Sequence, residues 1–101
     1  RYGDPPRGVM NLIAIALLRA RAAACGITEI TQKDASVIFT LASMDFSAIS
    51  AICGEAEYRS RIFFDAGRSP ALTLKLKKGE DALKAAEGLV RRYAAMRSGN
   101  S

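Results

Sequence analysis

An apolar stretch bounded by two prolines and a glycine sets the terms for this chain. Pro5 and Pro6 lack amide donors and hold φ near a helical value, so they suit a first helical turn, whose amides have no partner in any case. Val9, Leu12, Ile13, Ala16, Leu17, Ala20, Ala23 and Ala24 then recur at the three- and four-residue spacing of one helix face. Met10, Ile15, Leu18 and Cys25 spread apolar character around most of the rest. Gly26 offers the left-handed conformation that closes a helix, and Ile27 the hydrophobic contact that often accompanies such a cap. The spacing predicts one long helix, almost entirely buried, lying in the middle of a helical layer. It does not predict a membrane span. The uninterrupted apolar run is Leu12 to Leu18, with Arg19 and Arg21 directly after it, whereas a span needs roughly 20 predominantly apolar residues. Nor does it read as a secretory signal, because the residues beyond Gly26 have the pattern of the protein's own folded body.

A chain of 101 residues is one domain's worth, able to bury about 60 to 70% of its unfolded surface around a single core. Its 50% hydrophobic and 25% charged content exclude the disordered and fibrous classes. Cys25 and Cys53 lie in apolar company with no CxxC and no histidine to complete a metal set. They read as reduced, buried and structural, which points to the cytoplasm. The net charge of +5 invites an anionic partner, but its distribution argues against a compact basic stripe. The first 26 residues carry four Arg against one Asp, residues 27 to 60 are net acidic, and residues 61 to 101 carry nine basic against four acidic side chains. Arg91 and Arg92 suit the negative end of a helix dipole, and Lys75 and Lys77 the outward face of a strand, where they would discourage edge pairing.

Further along, Ile27 to Thr31 and Ala35 to Leu41 read as two strands joined through Gln32, Lys33 and Asp34. Val37, Phe39 and Leu41 share one face of the second, while the first alternates poorly. Ser43 or Asp45 can cap a short helix carrying Phe46, Ile49, Ile52 and Cys53 on one side, with Gly54 ending or kinking it. After a polar connection from Glu55 to Ser60, Arg61 to Asp65 and Ala71 to Lys77 form a second hairpin pattern, with Leu72, Leu74 and Leu76 on one face. Glu80 and Asp81 open a last helix whose buried side is Leu83, Ala86, Leu89, Val90, Tyr93, Ala94 and Met96, with Gly88 permitting a close approach. The tail from Ser98 is expected to fray. The order helix, strand, strand, helix, strand, strand, helix predicts an α+β fold with a small antiparallel sheet covered by helices.

No catalytic constellation emerges. Without histidine, the commonest acid–base and metal-binding side chain is missing, and Cys53 has no base beside it. Glu55 with Glu57, and Glu80 with Asp81, read as solvated surface. Neither a phosphate-cradling GxxxxGK[ST] loop nor a GxGxxG turn is present. The residues point to a non-enzyme that needs no cofactor, and they do not name what it binds.

Arg1-Tyr2-Gly3, Pro6, Asn11-Leu12, Leu18-Arg19 and Gly26-Ile27, together with the VIFTL strand, the RIFFDAG arm, the ALTLKL strand and a closing helix, resemble the C-terminal domain of bacterial transcription-repair coupling factors. These are large ATP-driven DNA translocases that remove stalled RNA polymerase and recruit excision repair. The resemblance implies a single C-terminal regulatory domain of a larger protein, residues 1–97 folded, with the motor's nucleotide and DNA sites elsewhere. It implies no activity of its own and no direct contact with nucleic acid or membrane. Its partner would be the N-terminal module of the same protein, which recruits the excision-repair damage-recognition ATPase and is hidden until polymerase is engaged. In the family pattern acidic residues stand just before the R-[FY]-G motif, so part of the contact surface would lie upstream of Arg1. Arg1, Tyr2, Asp4 and Arg7 are the residues this places at the inter-domain contact, although Tyr2 and Gly3 would serve equally as a tether of the chain start. Asn11 and Arg19 would be structural polar groups or contact residues. Cys25 stands where the family more often has a larger aliphatic side chain. The competing class, motivated by charge, is a small basic nucleic-acid-binding module.

Overall fold

The computed structural model describes residues 7–97, with side chains from Leu12 onward. Three helices and four strands alternate as α1 (Arg7–Ala24), β1 (Ile27–Lys33), β2 (Ser36–Leu41), α2 (Phe46–Gly54), β3 (Ile62–Asp65), β4 (Ala71–Lys75) and α3 (Ala82–Arg97). This is the expected α+β order. The prolines expected to open α1 and the tail from Ser98 lie outside the described residues.

The sheet is antiparallel throughout, in the order β1-β2-β4-β3. Both hairpins form, and they join through β2 and β4, so β3 becomes an edge and β4 is internal. Lys75 therefore guards no edge. It stands exposed on the outer face of a strand paired on both sides. Register places Ile30, Phe39, Leu72 and Phe64 in one row across the inner face, and Gln32, Val37, Leu74 and Ile62 in the next. The poor alternation of β1 has a local cause. A bulge between Ile27 and Glu29 inserts one residue, so that Ile27 and Ile30 reach the same face despite their odd spacing.

The caps obey the local chemistry. Gly26 takes φ +87° and its amide donates to the Ala23 carbonyl at 3.1 Å, which ends α1. Of the two expected caps for α2, Asp45 serves, its carboxylate accepting from the Ala48 amide at 3.1 Å. Asp81 accepts from the Leu83 amide at 2.9 Å at the start of α3.

One core runs through the molecule between the inner sheet face and the helices. Four expectations need correction. The middle of the helical layer is α3, which contacts both α1 and α2; α1 lies to one side over β1. Second, α1 is not almost entirely buried: among its described side chains only Leu18 and Ala22 are buried, with Cys25 continuing the line just past its end, while Leu12, Ile13 and Leu17 are 67%, 52% and 54% exposed. Its last turns rest on the body and its first turns reach past it, so no described residue covers them. Third, Phe46 is exposed at 62%, and Ala48 takes the core position instead. Fourth, the polar connection Glu55 to Ser60 holds a core residue, Tyr58, 3% exposed and folded inward by tight turns through Glu55 and Arg61. Its hydroxyl lies over Gly88 of α3, 3.7 Å from where a Cβ would stand. Gly88 is therefore not required for the approach.

Candidate functional site

Both thiols and several of the described carboxylates are absorbed into structure. Burial pushes both thiols upward, disfavouring the nucleophilic thiolate, and Cys25 donates to the Ala22 carbonyl at 3.4 Å. Glu80 accepts from the Lys77 amide at 2.8 Å and pairs with Arg61, tying β3's approach to the entry of α3. Glu55 pairs with Arg92 at 2.6 Å, with Glu57 at 4.0 Å from the same guanidinium, and Asp45 pairs with Arg97 at 3.3 Å. These pairs stitch α3 to the start and end of α2. Glu55 and Glu80 are thus more than the solvated surface their sequence context suggests, while Glu57 remains exposed. Among the described residues no group of three His, Cys, Asp or Glu is placed to hold a metal ion, and no helix is long and apolar enough to cross a membrane.

A different surface stands out. Along α1, Ile13, Leu17, Ala20 and Ala24 succeed one another at intervals of four, three and four residues, the spacing of a straight seam on the side away from Leu18 and Ala22. Leu12 lies beside it. Besides a groove against β1 lined by Arg19, Ala22, Ala23 and Glu29, two clefts border the helix. One, of about 440 Å³, is lined by Ile15, Leu18 and Arg19 of α1, by Ile30 and Val37 of the sheet, and by Leu83 among others from the start of α3. The other, of about 490 Å³, lies between Leu18, Arg21 and Ala24 of α1 and Glu87, Val90, Arg91 and Ala94 of α3. Arg19, Arg21 and Arg91 are exposed.

Of the residues singled out from sequence, Arg1, Tyr2 and Asp4 lie outside the described residues. Arg7 and Asn11 sit on the overhanging first turns of α1, their side chains outside the description as well. Arg19 is described: it is exposed on α1 and lines the first cleft. Sequence reasoning misses the seam itself. Its apolar spacing is visible, but by spacing alone it reads as a core face.

The family model of the TRCF domain matches residues 1–52. The chain belongs to the TRCF domain family. The matched half runs from the chain start through α1 and the β1–β2 hairpin into α2, so it contains the whole of the seam. Strands β3 and β4 and helix α3 lie outside the match. A TRCF domain is a non-motor domain of a transcription-repair coupling factor, which links this chain to transcription-coupled DNA repair. No curated relative and no solved structure matches the chain.

Proposed function

We propose that this TRCF domain is a non-catalytic, autoregulatory domain at the C-terminal end of a larger coupling factor. It docks on the N-terminal module of the same protein and masks the surface that recruits the excision-repair damage-recognition ATPase until stalled RNA polymerase is engaged. The match of residues 1–52 to the TRCF domain carries this reading. The structure supports it in two ways: the thiols and the paired or capping carboxylates serve packing and tethering, and an apolar helix face is left open on the matched half. In this reading Arg1, Tyr2, Asp4 and Arg7 lie at the contact, a modest and partly polar surface of the kind that separates when a larger partner binds. The ATP-driven motor, and the partner sites for polymerase, belong to other parts of the protein.

The test is deletion of residues 1–101 from the full coupling factor, then titration with the excision-repair ATPase. Masking requires tighter binding after deletion. Unchanged or weaker binding overturns it.

A second reading has one specific observation behind it: Phe63, 56% exposed, and exposed Lys75 share the outer face of the sheet, which the helices leave open. An aromatic and a cation on an open sheet is the minimal platform for stacking a single-stranded base. Titration of the chain with single-stranded and duplex DNA at rising salt decides it, because phosphate contacts lose affinity steeply with salt. No binding at low salt removes this reading.

A further inference from the structure

We infer that the free edge of β1 pairs with itself: two copies of this chain join β1 to β1, antiparallel about a two-fold axis at Thr31, so that their sheets become continuous. The inference is independent of masking.

The backbone of β1 offers a bonding row on its open side. The Leu76 amide donates to the Ala35 carbonyl at 2.7 Å and the Leu41 amide to the Pro70 carbonyl at 2.8 Å, so the odd-numbered residues of β2 bond toward β4. Ser36, Ile38 and Thr40 then bond toward β1, where register sets them opposite Lys33, Thr31 and Glu29. The amides and carbonyls of Ile30 and Gln32 are left aimed away from the sheet, with no partner among the described residues. Both residues border the groove between β1 and α1. A strand added there extends the ladder.

Side chains select which strand that is. Charges on an edge ordinarily bar pairing, and a row of one sign would do so here. Strand β1 instead carries one of each sign, Glu29 and Lys33, both exposed, without an ion pair among the described residues, and equally spaced about Thr31. When a second β1 runs antiparallel with Thr31 opposite Thr31, Ile30 of each copy exchanges hydrogen bonds with Gln32 of the other. Glu29 of each then faces Lys33 of the other at the closer, non-hydrogen-bonded positions. A register centred on Ile30 sets Lys33 opposite Ile27, and one centred on Gln32 sets Asp34 opposite Ile30. Neither pairs a charge. The opposite edge is poorer: β3 spans only Ile62–Asp65, the adjoining Arg61 is committed to Glu80 and the Lys75 carbonyl, and Asp65 accepts from the Gly67 amide.

Helix α1 fits the same two-fold. Arg19 and Ala23 line the groove against β1, and Leu12 and Ala16 precede them at intervals of four and three residues, which places all of them on the flank above this edge. The axis sets that flank against its copy, as a self-complementary interface requires. The alanines leave room for the second helix, and Leu12, 67% exposed, gains cover. Glu29 shares the groove with Arg19, so it meets positive charge both from its own helix and from the second copy's strand.

The 101-residue chain has a core of its own, and its sedimentation tests the inference. Runs at physiological ionic strength screen the +5 charge of each copy beyond about 8 Å, and concentrations from about 10 μM to about 1 mM cover the range of a small interface. The chain should pass from monomer to dimer and go no further. Glu29→Lys and Lys33→Glu should each weaken the dimer about tenfold, because each turns two attractive pairs into two repulsive ones. An equimolar mixture of the two variants should restore it as a heterodimer, and the double variant should dimerise like the parent chain. Both side chains are exposed, and thermal melting verifies that the fold is kept. A chain that stays monomeric throughout, assembly beyond a dimer, a dimer indifferent to either reversal, or a mixture that fails to restore pairing would each overturn the inference.

Discussion

Tyr93 is the residue where packing and polarity conflict most directly. Its ring is wholly buried in α3, and its hydroxyl has no hydrogen-bond partner among the described residues. Burial pushes the phenol upward, with the Arg97 guanidinium opposing the shift; burial does the same to Tyr58, where the Glu57 carboxylate adds to it. A buried hydroxyl left unbonded costs about 1 to 3 kcal/mol. Tyr93→Phe is therefore expected to leave stability unchanged or raise it by up to about 1 kcal/mol in urea unfolding. A loss larger than that would mean the hydroxyl is bonded. The same groups set an alkaline limit. For Cys25, Cys53, Tyr58 and Tyr93 the folded protein favours the neutral form, so their contribution is complete below the ordinary values of 9.0 for the thiols and 10.0 for the phenols. It is lost as pH rises through the higher folded values. The urea midpoint should decline above about pH 9, and less steeply in Tyr93→Phe. A midpoint that holds through the thiol and phenol range would contradict this.

At the scale of the elements, two glycines respond oppositely to an added side chain. Gly26 closes α1 at φ +87°, and a Cβ there would stand 2.8 Å from the Arg97 Nη1. The guanidinium can swing away, but only by disturbing its 3.3 Å pair with Asp45, and the left-handed backbone itself costs about 1 to 2 kcal/mol for a residue with a side chain. Gly26→Ala should be destabilising by at least that much. Gly88 lies mid-helix in α3, where a Cβ meets only the Tyr58 hydroxyl at an ordinary 3.7 Å. Gly88→Ala should stabilise by about 0.5 to 1 kcal/mol through helix propensity. Thermal unfolding of the pair checks both signs, and a destabilised Gly88→Ala would mean that Tyr58 cannot yield. The cap at Gly26 was legible because it depends on neighbours within one turn. The inward fold of Tyr58 was not: Glu57 and Arg59 flank it, and its burial depends on α3, thirty residues further on.

The whole molecule is a four-stranded sheet with a helical layer on one face, and one of those helices is only half accommodated. Leu74, 1% exposed, fills the inner row of the sheet, so Leu74→Ala should cost about 2 to 5 kcal/mol. Leu17, on the overhang, should tolerate the same change in the 101-residue chain to within about 0.5 kcal/mol, although its sequence setting is the more apolar of the two. Equal losses in thermal unfolding would mean that α1 is covered. Strand alternation in β2 and β4, the two hairpins, the α+β order and the caps could all be read from residues alone, because period-two and period-3.6 patterns and end-caps are set by interactions a few positions apart. Family membership was legible for the same reason, in the motifs carried by the chain start and α1. The assignment of α3 to the centre, the bulge that brings Ile27 and Ile30 to one side, and the union of the hairpins through β2 and β4 emerged only in three dimensions. So did the open state of α1. Apolar spacing tells which side of a helix seeks cover, but whether a neighbour supplies it depends on contacts between residues far apart along the chain.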